Sequence, residues 1–120
     1  MGHTSPMRKR AFVFVLLLAG ATAYAHHGWS GYDEKNPLTL TGTVEESAWS
    51  NPHATIVLKT ADATWKVVLA PVSRMETRGM NKEMIAKGAT VKVVGYRHKE
   101  HKDELRAERI TVGDKTYELR

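Results

Sequence analysis

Residues 38–44, Leu-Thr-Leu-Thr-Gly-Thr-Val, limit the possible folds more than any other stretch. Leu38, Leu40 and Val44 alternate with Thr39, Thr41 and Thr43, the period-2 pattern of a strand with one buried face. Gly42 stands where the apolar series calls for another side chain. A glycine inside a strand marks a bend, a bulge or a close backbone approach. A small closed barrel needs such a bend in its first strand.

The rest of the chain fits the same plan. Ser50-Asn51-Pro52 reads as a turn, followed by a second strand through residues 54–58. Ala61-Asp62-Ala63 connects it to a third strand through residues 65–69. A helical segment then opens at Pro71, which suits the first helical position, and closes at Gly79. Asn81 is a good N-cap for a second short turn that runs to Gly88. Met75, Met80 and Met84 fall in this segment, and methionine is adaptable core filler. A fourth strand follows through residues 91–96, then a charged hairpin. A fifth strand spans residues 105–112 with a phase slip near Arg109, and residues 116–119 form a last short strand. Three strands, a helix and further strands, with the first strand bent, is the order of an OB-type Greek-key barrel. The expected fold class is therefore an all-β, OB-fold-like small barrel of five to six strands, with one short helical segment between strands three and four.

The first 25 residues read as a leader rather than as part of the barrel. Arg8-Lys9-Arg10 precede the apolar run 11–21, and Ala23-Tyr24-Ala25 offers a small-x-small cleavage site. The apolar run is too short to span a bilayer. The expected organisation is a signal peptide over 1–25, a polar lead-in over 26–37 and a barrel domain over 38–120. Periplasmic or secreted location follows, with no membrane after cleavage. Removing the leader takes away three of the eighteen Lys and Arg and none of the thirteen Asp and Glu, leaving a net charge of +2. The signs are interleaved rather than gathered into a basic stripe, so compartment and charge both argue against nucleic acid. With no cysteine, any metal site must come from His, Met, carboxylate or the terminal amine.

Cleavage after Ala25 would leave His26 as the new terminus, with His27 beside it. A terminal amine and the His26 ring nitrogen form a chelate, and a further imidazole would complete a histidine brace. Cleavage after Ala23 would instead place His26 third, in an amino-terminal Cu(II)/Ni(II) motif. Square-planar nitrogen donors suit Cu(II) and Ni(II), so copper is the expected cofactor. His53, after the Asn51-Pro52 turn, is the favoured third ligand; as an alternative it is a turn residue bonded to backbone. His98 and His101 are less favoured ligands, because Arg-His-Lys-Glu-His-Lys-Asp reads as a solvated hairpin tip. The methionines could bind soft Cu(I), but core filling is the preferred reading. Glu45 and Glu46 are neighbours on a strand, so alternation sends them to opposite faces. No phosphate loop, nucleophile elbow or zinc-protease motif is present, and the chain does not read as an enzyme.

His26-His27, Trp49-Ser50-Asn51-Pro52-His53, Trp65, Arg78-Gly79 and Lys87-Gly88 before residues 91–96 carry a resemblance. The chain resembles an uncharacterised family of small exported bacterial proteins, a domain of unknown function, over residues 26–120. That resemblance implies export and the barrel and brings no activity. In architecture and compartment the chain is also similar to the small periplasmic copper and silver chaperone of the Cus efflux system, but it lacks the Met-x-Met strand motif. The expected function is an exported metal-binding protein using His26, His27 and His53, its partner a metal ion or a periplasmic protein. The alternative is a metal-free OB-type module holding a protein or small ligand with its barrel face and Trp49.

Overall fold

A computed structural model describes residues 28–120. It divides into two units, Met1–Gly31 and Tyr32–Arg120. The first contributes only a helical turn at residues 28–30 to the described part, so the expected leader and cleavage site, with His26 and His27, lie outside the described residues. No helix among the described residues is long and apolar enough to cross a membrane.

The second unit is the barrel. Its elements are β1 (Tyr32–Ala48), β2 (Thr55–Lys59), β3 (Thr64–Val68), α1 (Val72–Thr77), a 3-10 turn (Lys82–Ile85), β4 (Thr90–His98), β5 (Glu104–Val112) and β6 (Lys115–Glu118). The sheet order is β3-β2-β1-β4-β5-β6, and an added parallel pairing of β3 with β5 closes strands one to five into a barrel. β6 extends β5 as a hairpin strand. This is the expected OB-like barrel, with the helical segment between the third and fourth strands.

β1 builds the barrel because it serves two partners. Residues 37–43 pair with β4 and residues 43–48 with β2. The change of partner falls beside Gly42, where a Cβ would collide with the carbonyl oxygen of Lys59. Gly95 on β4 plays the same part against the Arg106 carbonyl. Beside it the β4–β5 register slips, with Val94 opposite Arg109 and Gly95 opposite Ala107, so Glu108 is the extra residue of the phase slip. Both glycines are therefore close approaches of backbone to backbone, which any side chain would obstruct.

Three details differ from the expectation. β1 begins at Tyr32 rather than Leu38, but between its Tyr32–His98 pair and its Pro37–Tyr96 pair the register shifts. Asp33 fills the bulge by accepting from the Lys35 amide at 3.3 Å and the Asn36 side chain at 2.9 Å. Pro71 is the N-cap of α1 rather than its first residue. Glu45 is the bulged residue between the Val44–Leu58 and Glu46–Val57 pairs. Simple alternation fails there, and Glu45 and Glu46 are both exposed.

The core is apolar: Ile56, Leu58, Val67, Leu69, Ile85, Val93, Leu105 and Ile110 are fully buried. Met75 and Met80 belong to it and Met84 packs against it. Met75 and Met80 thus act as core filler. Gly79, at φ 99°, closes α1, and Asn81 caps the 3-10 turn through the Met84 amide.

Candidate functional site

His53 leads out of the β1–β2 loop and is held by the backbone after it. Ala54 donates to the Ala70 carbonyl at 2.8 Å and accepts from the Leu69 amide at 2.9 Å, which fixes the backbone beside half-buried His53. Its Nε2 lies 3.3 Å from Nη2 of Arg106. A guanidinium can only donate, so Nε2 is the acceptor and the ring proton sits on Nδ1. Burial holds the His53 pKa below its ordinary value, and the charges of Arg106 and Arg74 push it lower.

Arg106 itself is 8 % exposed, although it lies between Leu105 and Ala107, both pointing into the core. Alternation places it on the opposite face of β5, with Glu104. Burial lowers its pKa; Tyr32 opposes that shift, and Arg120 and Arg74 add to it.

Two tyrosine–glutamate clasps flank this position. Tyr32 donates its phenol to Glu104 at 2.5 Å, tying the start of β1 to β5. Tyr96 donates to Glu108, also at 2.5 Å, across the β4–β5 pair. Burial, then the Glu104 bond, push the Tyr32 pKa well above its ordinary 10.0. A raised folded pKa gives stability that is complete below the unfolded value and lost as pH climbs toward the folded one. Urea midpoints of the wild type should therefore fall above about pH 10, and Tyr32→Phe should flatten that fall; an equally steep fall in the variant would refute the clasp.

Tyr32 also meets the histidines of the β4–β5 hairpin. Its ring and that of His98 stand edge to face at 5.0 Å, and His98 lies against His101 at 4.3 Å. His98 Nδ1 accepts from the amides of Glu100 and His101, both at 3.1 Å. His98 thus caps its own hairpin, and its lone pair is spent there. Among the described residues, the His101 ring nitrogens take no hydrogen bond.

The structure thus brings His98 and His101 together beside Tyr32, and sets His53 against Arg106. Among the described residues no group of three His or carboxylate side chains is placed to hold a metal ion. Trp49 packs against the core rather than standing out as a platform. A separate cleft of about 390 Å³ opens around Trp65, with Thr41, Asp62 and Asp103 among its walls. Arg97 lies over the Trp65 ring at 5.0 Å.

Sequence reasoning passed over Arg106, Tyr32 and Arg74. The alternation Leu105-Arg106-Ala107 assigns Arg106 to the outer face, and nothing in it reveals that this face is covered.

The model of a family of unknown function, DUF6152, matches residues 14–106, and the chain belongs to that family. No curated protein matches. Among solved structures, one chain in the crystal structure of TiaS in complex with a tRNA and ATP is similar at 22 % identity and TM-score 0.51, over 73 % of this chain and 19 % of that one. The ZRD-deleted mutant of TiaS in complex with agmatine is similar at 20 % identity and TM-score 0.52, over 72 % and 27 %. The chain thus spans about a fifth to a quarter of these structures' length, and the likeness is one of fold.

Proposed function

We propose that this member of the family is an exported copper-binding barrel, with the histidines of its mature amino terminus and one loop histidine as ligands. The observation that carries this reading is the position of His101, held beside His98 and Tyr32 with its ring nitrogens uncommitted. A terminal amine and His26 ring nitrogen, with His27 and His101, form a nitrogen donor set of the kind Cu(II) favours. His53 is the poorer third ligand: its lone pair faces Arg106 at 3.3 Å, and that cation opposes a metal ion. His98 would have to give up two backbone hydrogen bonds to coordinate.

Cu(II) titration of the secreted, mass-verified mature protein tests the reading. One added residue before His26 and the substitution His101→Ala should each weaken binding by at least about tenfold, some 1.4 kcal/mol, and change the visible spectrum. His53→Ala should bind like the wild type. Unchanged affinity and spectrum after the extension would overturn the proposal.

The second reading is a metal-free binding module, favoured by the cleft around Trp65. An aromatic wall, an arginine and two carboxylates in a concavity of about 390 Å³ suit a small polar ligand. A mature protein that binds no copper in the titration leaves this reading in place.

A further inference from the structure

A shallow basic cavity lies beside α1. Ser73, Arg74, Thr77 and Arg78 line a shallow cavity of about 360 Å³ with Pro71. Arg74 and Arg78 are four residues apart on α1 and its C-cap, so their side chains share one face. Each guanidinium is anchored by one N–H to the carboxy-terminal segment: Arg74 Nη1 to the Leu119 carbonyl at 3.2 Å, and Arg78 Nη2 to the main-chain oxygen of Arg120 at 3.5 Å. A guanidinium has five N–H donors, so each keeps others to offer. Thr77 spends its hydroxyl proton on the Ser73 carbonyl at 2.9 Å, which leaves the Ser73 hydroxyl as the cavity's neutral donor.

Among the described residues neither Arg74 nor Arg78 forms an ion pair with an acidic side chain. Glu34 and Glu108 bond Arg120 at 2.6 Å and 3.8 Å. The field of Arg74 also reaches His53 and Arg106, lowering the pKa of both. Like charges gathered over a low-dielectric interior concentrate positive potential and raise the local concentration of anions.

We propose that the Arg74–Arg78 cavity binds a tetrahedral oxyanion, a phosphate or sulfate group, either free or carried on a lipid headgroup. Paired guanidiniums meet such a group with parallel charge-assisted hydrogen bonds, which a single lysine cannot reproduce.

Amide chemical shifts of the full mature chain, titrated with inorganic phosphate and with sulfate against chloride at equal ionic strength, test this. Saturable shifts over residues 73–79 are expected, weakened about tenfold by Arg78→Gln and abolished by the double substitution with Arg74→Gln. Because Arg74 also braces Leu119, an unchanged unfolding midpoint of the Arg78→Gln variant keeps that result free of folding effects. Co-sedimentation with phosphatidylglycerol vesicles, compared with phosphatidylcholine alone, separates the sources. Capture that the double substitution removes assigns the group to a headgroup; phosphate shifts without capture assign it to a free anion. Absence of phosphate- or sulfate-specific shifts at residues 73–79, together with equal vesicle capture of wild type and double variant, would overturn the proposal.

Discussion

Gly95→Ala should destabilise the barrel by at least about 3 kcal/mol, the upper end of what overpacking a well-formed core costs. The ideal Cβ at this position collides with the Arg106 carbonyl and lies 2.8 Å from the Ala107 Cα, and neither obstacle is a flexible side-chain end. Relief requires β4 and β5 to separate where their register slips, and that slip is what turns the sheet toward closure. Against a total stability of about 5–15 kcal/mol, such a loss removes about a fifth to more than half of it. Gly42→Ala should behave similarly, because the Lys59 carbonyl occupies the corresponding space at the β1 corner. Gly113→Asn is the control. It sits at φ 63° with nothing within 4 Å of a new Cβ, and asparagine tolerates that conformation, so less than about 1 kcal/mol is expected. Urea unfolding midpoints decide the matter: a Gly95→Ala protein melting with the wild type would show that the corner yields without cost.

These corners explain how much of the fold the sequence conveys. Gly42 interrupts an otherwise strict alternation, so the bend is visible as a missing side chain, and the slip near Arg109 shows as a break in phase. The core residues of β2, β3 and β5 announce themselves by periodicity, and Asn81 and Gly79 by their capping chemistry. The start of β1 does not. Asp33 to Asn36 are polar because they form a bulge fastened by the Asp33 carboxylate, and a bulge is indistinguishable from a lead-in when only polarity is read. The same limit applies to Glu45, where one inserted residue cancels the alternation on which facing is inferred.

The candidate site was legible in its residue types and not in their partners. His53 follows a turn signal, and its half-burial suits either a ligand or a structural residue. The distinction lies with Arg106, 53 positions away in the chain, which joins it only when β3 and β5 close the barrel. Likewise His98 and His101 look like solvated hairpin residues until the backbone amides that turn toward His98 Nδ1 are seen. A lone pair already committed to a donor is a property of the folded neighbourhood, so ligand candidates drawn from spacing alone carry no ranking by availability.

Arg106 offers the other large effect, because one substitution separates its bulk from its charge. Arg106→Ala removes a long side chain that is 8 % exposed and leaves both a void and His53 without its donor. A cost of about 2–4 kcal/mol is expected, in line with truncating other long buried side chains. Arg106→Met keeps most of the volume and should recover much of that loss, since replacing a buried charge by an apolar side chain of similar size is often tolerated. It should also raise the His53 pKa, measured by the ring-proton shifts. The rise should be partial, because burial comes first among the causes that depress it and Arg74 stays in place. The pH dependence then follows with its sign fixed. A histidine depressed in the folded state contributes stability that is full above its ordinary value near 6.5 and declines as pH falls. The wild type should therefore lose stability below about pH 6.5, and Arg106→Met should lose less over the same interval. A His53 resonance that titrates at the same pH in both proteins would show that the guanidinium does not govern the imidazole. His53 would then stand level with His101 as a candidate ligand, because the argument against it rests on that contact.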